Sequence, residues 1–193
     1  MGKGHAMGEV ERWTAFLRAR GAGSIPHSRG TLLQHLEGTR ALLESWGQDR
    51  HTCVGGLFHS VYGTYVFDHH PATLDERDTV RGVIGERAEA LAHLFGVSDR
   101  RSFFDAPARA PMSVDDVVHG VTLPVSLDDV QRLLVIEAAN AVEQLPRRKL
   151  HHREEFRWYA QAFERHPGLV EAPALQAYRE AYAAFERRWD AGS

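Results

Sequence analysis

A single cysteine, Cys53, stands among 193 residues, so no disulfide can form within the chain and a small disulfide-stapled secreted domain is excluded. Long hydrophobic runs are missing too, since none approaches the roughly 20 apolar residues that cross a bilayer as a helix. No signal peptide is legible at the start, which makes the cytoplasm the expected compartment. Charge of one sign is not in large excess. The formal net charge of -3 offers no electrostatic basis for nucleic acid or an anionic membrane as partner. A nucleophile elbow, a phosphate loop, a zinc-ribbon spacing and a dinucleotide fingerprint are all absent, and the activities that rest on them lose their support. Repeats, low-complexity tracts and domain linkers are not found either.

What is present is ordinary in bulk and unusual in one detail. Hydrophobic residues at 43% and charged residues at 25% suit a globular protein. A chain of this length forms one domain that buries roughly 70% of the surface its unfolded form exposes. The unusual detail is twelve histidines. His5 belongs to Met1–Met7, and residues 1–8 read as a leader or disordered N-terminus with the native start at Met7. The expected fold is a single all-α domain over 9–193, with C-terminal helices over 153–190.

Periodicity supplies the elements. Val10, Trp13, Phe16 and Leu17 predict a helix over Glu9–Arg20, closed by Gly21. Leu32, Leu36, Leu43 and Trp46 predict a second over about Thr31–Trp46, with His35 and Thr39 inside its buried arc. The most apolar stretch, Val54–Thr64, predicts an inward helix that carries His59, Ser60 and Tyr62. A helix over Leu74–Phe95 should bend near Gly82–Gly85, and residues 97–125 look irregular. Within them Val117–Val125 could form a small hairpin turning at His119-Gly120, with Pro124 confining its second arm to an edge. Ser126 and Asp129 match a capping box, so a long helix should start at Leu127 and stop by Pro146. Amphipathic helices over Arg153–Arg165 and Ala174–Trp189 close the chain. Their aromatic residues Trp158, Tyr159, Phe163, Tyr178, Tyr182, Phe185 and Trp189 exceed what a lone hairpin hides, so they cover the core or form a homodimer face.

Buried polar residues are the candidates for chemistry, because each costs roughly 1–3 kcal/mol without a partner. His35 and His59 come from consecutive elements joined by a short turn and can face one crevice, which suits a metal site or acid–base work. Glu137 falls between Val130, Leu134 and Ala141 on the long helix, with Asn140 at the margin. It reads as a metal ligand or general base, or as the partner of an arginine. Glu86 follows Gly85 at the expected bend, beside Arg87. His27 sits on a loop able to lean over a pocket mouth.

Those residues carry a resemblance. His35, then Leu57-Phe58-His59-Ser60, then Ile136-Glu137-Ala138-Ala139-Asn140 resemble the helical HD-domain superfamily, and most closely its alarmone-hydrolysing domains. More narrowly, three motifs are similar to an uncharacterised family of HD-related domains with no established activity. They are His27 with Leu32-Leu33, His35-Leu36 and Gly38-Thr39; Gly56-Leu57-Phe58-His59-Ser60 with Tyr62-Gly63-Thr64; and Ile84-Gly85-Glu86-Arg87-Ala88-Glu89. The resemblance spans about residues 24–146 and implies a divalent metal on His35 and His59. Ser60 and Asn140 stand where HD enzymes carry aspartates, so His27, Glu86 or Glu137 would have to complete the shell.

Three functions follow as expectations. The first is a metalloenzyme, hydrolase or oxygenase, with iron, manganese or zinc on His35 and His59. Its substrate would be a small polar metabolite held by His27, Ser60, Arg87 and Asn140. The second is a metal-free isomerase, lyase or cyclase, in which His59 shuttles protons, Glu86 or Glu137 orients it, and Tyr62 stabilises an oxyanion. The third is a binder that keeps the hollow and performs no reaction.

Overall fold

The computed structural model describes residues 8–27, 30–64, 69–149 and 152–190; His5 and the proposed leader lie outside them, as does the side chain of Trp189. The protein is all-α with two small antiparallel hairpins. The helices are α1 (Glu9–Ala19), α2 (Leu32–Ser45), α3 (Arg50–Leu57), α4 (Arg77–Ile84), α5 (Glu86–Val97), α6 (Arg100–Asp105), α7 (Leu127–Gln144), α8 (Arg153–Arg165) and α9 (Ala172–Asp190). The hairpins are β1 (Pro26–His27) with β2 (Gly30–Thr31), and β3 (Ser113–Asp116) with β4 (Val121–Pro124).

Local chemistry explains most of the boundaries. Thr31 accepts from the Gln34 amide and Gln34 reaches back to Thr31, which opens α2 with a reciprocal cap. Ser126 and Asp129 do the same for α7. Gly85, at φ +86°, separates α4 from α5 in a conformation that a side chain would strain. The expected bend is thus a full break.

Three expectations change. The hairpin expected over 117–125 pairs 113–116 with 121–124 and keeps 117–120 as its turn, because Val125 already bonds back to Met112 and sets the register. Arg100–Asp105 is helical, started by Asp99, whose carboxylate accepts from the Arg101 amide. Most important, α3 ends at Leu57. His59, Ser60 and Tyr62 lie on the turn that follows it, closed by Gly63 at φ +76°. Side chains beyond Leu57 contact different elements, and the Gly56 carbonyl at the helix end takes the His59 imidazole N–H at 2.7 Å as well as the His59 amide at 3.4 Å.

Helix α2 packs against both α3 and α7 at the centre, and these three position the site. One apolar cluster joins Trp13, Leu17, Leu36, Leu57, Phe58 and Ile84 on the α1–α4 side. The other gathers Phe95, Phe103 and the inner face of α7 with Phe156, Phe163, Tyr178 and Phe185 of α8 and α9. The C-terminal aromatic residues therefore cover the core: Tyr159, Phe163, Tyr178 and Phe185 are buried, while Trp158 and Tyr182 are partly covered.

Close approach of α2 and α3 depends on Gly56. A Cβ there would meet Leu43 Cδ1 at 2.2 Å in packed surroundings. Gly56→Ala is expected to cost about 1–3 kcal/mol, read as a drop in denaturation midpoint at unchanged m-value.

Candidate functional site

His35, from the first half of α2, and His59, from the turn after α3, converge with Nε2 atoms 3.2 Å apart. Their rings cross edge to face with centroids 5.0 Å apart, and the His59 ring also meets Phe95 edge-on. Both imidazoles are almost fully buried, at 2% and 1% exposure. The other nitrogen of each ring is committed. His35 Nδ1–H donates to the Glu143 carboxylate at 2.5 Å, and His59 Nδ1–H donates to the Gly56 carbonyl at 2.7 Å. Glu143 is itself paired with Arg147 one helical turn on. A carbonyl and an arginine-paired carboxylate can only accept, so both rings carry their neutral proton on Nδ1.

Each Nε2 therefore presents a lone pair, and the two lone pairs face each other at hydrogen-bond distance. Burial, reinforced by the positive Arg147 and Arg148, pulls His35 down to about 3. Burial pushes His59 well below its usual range, aided by its neighbour His35. The rings are neutral near pH 7. An opposed pair of acceptors is unfavourable unless a cation lies against both or a proton is shared between them.

The histidines line a pocket of about 220 Å³ walled by His27, Ser60, Phe95, Glu137, Asn140 and Tyr159, with Arg100 and Arg148 among the other lining residues. That is smaller than the roughly 300–1,000 Å³ of clefts that take drug-sized ligands. His27 stacks on His35 with ring centroids 4.3 Å apart, and burial lowers it to about 3. Along one face of α7, Glu137 accepts from the Asn140 amide at 3.2 Å, Asn140 Oδ1 accepts from Gln144 at 2.5 Å, and Gln144 Oε1 accepts from Arg148. Glu137 also faces Arg100 Nε at 3.4 Å, both side chains being buried. Burial raises the Glu137 carboxyl against the pull of Arg100 and of bonds from Asn140 and Tyr159. Arg100 lies over the Phe95 ring, 3.7 Å from its centroid, and donates to the Ser98 carbonyl at 2.8 Å.

Six of the sequence-derived candidates thus share one pocket: His27, His35, His59, Ser60, Glu137 and Asn140. Three stand elsewhere. Glu86 is exposed at the start of α5, because the Gly85 break turns the first residue of that helix to solvent. Arg87 pairs with Asp128 and Asp129 at the start of α7, each at 2.5 Å, and staples two helix N-termini. Tyr62 donates to Glu89 at 2.9 Å on the far side of the turn. Glu89, wholly buried, also receives a two-pronged bond from Arg77 at 2.7 and 3.0 Å. Burial raises the Tyr62 phenol, the Glu89 carboxylate raises it further, and its hydroxyl is committed to Glu89 outside the lining of the histidine pocket. In the third motif the buried acid is thus Glu89, where Glu86 was expected.

The sequence reading missed Glu143, Arg100, Gln144 and Arg148. Extending the Glu137-Asn140 stripe by one helical turn would have reached Gln144 and then Arg148. Glu143 leaves a different trace. A Cβ on Gly38 would lie 2.9 Å from Glu143 Cγ, so the glycine of the first motif makes room for the carboxylate that holds His35. Arg100 leaves none, because its partners come from 95, 98 and 137.

Among the described residues, no group of three or more His, Cys, Asp or Glu is placed to hold a metal ion. The two imidazoles fit a borderline ion nonetheless. Nitrogens each about 2.0–2.1 Å from one tetrahedral zinc lie roughly 3.3 Å apart, and ligating histidines usually donate their other N–H to a carboxylate or backbone carbonyl. The separation of 3.2 Å and the bonds to Glu143 and Gly56 match both requirements. Glu137 does not complete the shell, being tied to Arg100 and Asn140.

Residues 16–100 match the family model described as Domain of unknown function (DUF6817). The match takes in all three motifs and stops before α7, which supplies Glu137, Asn140 and Glu143. No curated protein and no solved structure matches the chain. Among the described residues, no helix is long and apolar enough to cross a membrane.

Proposed function

We propose that this chain is a metal-dependent enzyme of the cytoplasm, a hydrolase or oxygenase related to HD domains, that acts on a small polar metabolite in the histidine pocket. The observation that carries the reading is the opposed pair of Nε2 lone pairs, each aimed by an acceptor on the far nitrogen. Nitrogen donors favour zinc or iron over magnesium or calcium. When bound, such an ion polarises a water or a substrate oxygen as a Lewis acid. Glu143 keeps the His35 tautomer, and the Gly56 carbonyl keeps that of His59. The Ser60 hydroxyl and the Asn140 amide line the wall as neutral hydrogen-bonding groups, so the site is held by few protein ligands and leaves room for substrate. Phe95 and Phe156 supply apolar surface to the pocket beside the rings.

The same Glu143–His35–His59 chain supports a second reading, a metal-free acid–base enzyme in which a proton is shared between the rings. Burial and the nearby Arg147 oppose it.

Metal analysis of protein purified without a histidine tag separates the two. The expected result is close to one zinc or iron per chain, falling below about a tenth of an equivalent in His35→Ala and in His59→Ala. Wild-type protein that holds no transition metal even after reconstitution overturns the metal reading. A nitrogen-bound proton shared between the rings, seen by NMR in that same protein, would establish the second.

A further inference from the structure

The amide side chains of α7 form a ladder whose direction is fixed from one end. Arg148 Nη2 bonds to Gln144, Gln144 bonds to Asn140 at 2.5 Å, and Asn140 bonds to Glu137 at 3.2 Å. A guanidinium has N–H donors and no acceptor, and it keeps its proton throughout the accessible pH range. The Gln144 atom that meets it must therefore be Oε1. That turns Gln144 Nε2 toward Asn140, whose facing atom must then be Oδ1, and leaves Asn140 Nδ2 on the Glu137 side. One donor-only residue thus decides the orientation of two amides. The order holds whether or not Glu137 is ionised, since a carboxyl of either form offers an accepting oxygen.

The pocket end of the ladder is an N–H. Asn140 lines the pocket together with His35 and His59, and its amide stands within bonding reach of the His35 ring. The Nδ1–H of that ring is spent on Glu143, so Asn140 can meet it only as a donor. One Nδ2 hydrogen goes to Glu137, and the second is left for the pocket. We propose that Asn140 is a binding residue that gives this N–H to an oxygen of the substrate, and that Gln144 and Arg148 are positioning residues that hold the amide this way round. The substrate group beside the imidazoles is then an acceptor such as a carbonyl oxygen, and a group that can only donate is disfavoured there. Asn140 occupies the place that the resemblance gives to an aspartate ligand, yet the ladder assigns its Oδ1 to Gln144 rather than to an ion. Gln144 and Glu137 are buried, so solvent competes little for these bonds. This inference rests on the histidine pocket being the functional site, and not on the metal.

The test is NMR of isotope-labelled full-length protein after chelation. Coupling across the hydrogen bond should run from Gln144 Nε2 to Asn140 Cγ; coupling from Asn140 Nδ2 to Gln144 Cδ would show the ladder reversed and overturn the proposal. Dimethyl sulfoxide serves as the acceptor probe, and dimethyl sulfide is the same frame without the oxygen. The sulfoxide is expected to move an Asn140 amide proton saturably, with the sulfide binding at least about fivefold more weakly. Asn140→Ala should weaken the sulfoxide by roughly five- to tenfold and leave the sulfide unchanged. In Gln144→Glu the new carboxylate accepts from Arg148 but cannot donate to Asn140, so the amide should turn over and the preference for the sulfoxide should vanish. Arg148→Lys, again a donor without an acceptor, should keep it. A merely structural role would weaken both probes alike, and circular dichroism checks that each variant folds. Equal binding of the two probes to wild type, undiminished sulfoxide binding in Asn140→Ala, or no binding of either probe would each overturn the proposal. An Asn140-dependent preference in a protein that takes up no metal would sink the metal reading and leave this one standing; a protein that loads metal but shows no such preference would do the reverse.

Discussion

Replacing Arg100 by methionine is expected to lower the unfolding free energy by about 3–5 kcal/mol, because it leaves Glu137 buried without its cation. Arg100 and Glu137 are both largely buried, at 5% and 3% exposure, so solvent screens the charge little. The guanidinium also closes off the Phe95 and Ser98 carbonyls at the end of α5 and covers the Phe95 ring, contacts a thioether cannot replace. Glu137→Gln should cost distinctly less, since the amide keeps hydrogen bonds to its neighbours and sheds a charge that burial disfavours. The two variants also differ in pH dependence. Burial raises the Glu137 carboxyl above its ordinary value of 4.5, so the folded state keeps that proton to higher pH than the unfolded chain does. Wild-type stability therefore falls as pH climbs from the ordinary carboxyl value through the raised one, and Glu137→Gln removes that part of the slope. Urea denaturation across this range measures both effects. A loss under about 1 kcal/mol in Arg100→Met would mean that the ion pair contributes little.

On the proposed metal reading, Glu143→Gln is expected to weaken metal binding about 10–100-fold while leaving the helices intact. The carboxylate holds the His35 proton on Nδ1 and makes the opposite nitrogen a better donor; an amide can still accept but brings no charge. Gly38→Ala should reproduce part of the loss from a distance, because its new methyl meets Glu143 Cγ at 2.9 Å and displaces the carboxylate. Competition with a chromophoric chelator gives both affinities, and circular dichroism checks the fold. Wild-type affinity in Glu143→Gln would show that the carboxylate has no hold on the ion.

Much of the architecture was legible before any coordinate. Thr31 and Ser126 sit where helices α2 and α7 begin, and Gly85 sits where α4 breaks from α5. These are contacts over three or four residues, and they depend on little beyond the local chain. The meeting of His35 and His59 was also readable, since a short turn joins their elements and both fall on the apolar side. The region 97–125 was not. Helix α6 is only six residues long, too short for a clear period, and β3 takes its place from a bond between Asp115 and Ser102.

For the polar side chains, the residues alone showed that His35 and Glu137 would be buried, because their positions lie among leucines and alanines at helical spacing, and that His59 would be, because it interrupts the most apolar stretch. Which groups answer them was settled only when α2, α7 and α8 packed. Glu143 reaches His35 across 108 positions of chain, and Arg100 reaches Glu137 across 37. Partner choice at such separations reflects distances between helix axes and the room left by residues such as Gly38. Glu86 and Glu89, one helical turn apart in one motif, show the consequence: the Gly85 break leaves the first residue of α5 in water, while packing sets the other beneath Arg77.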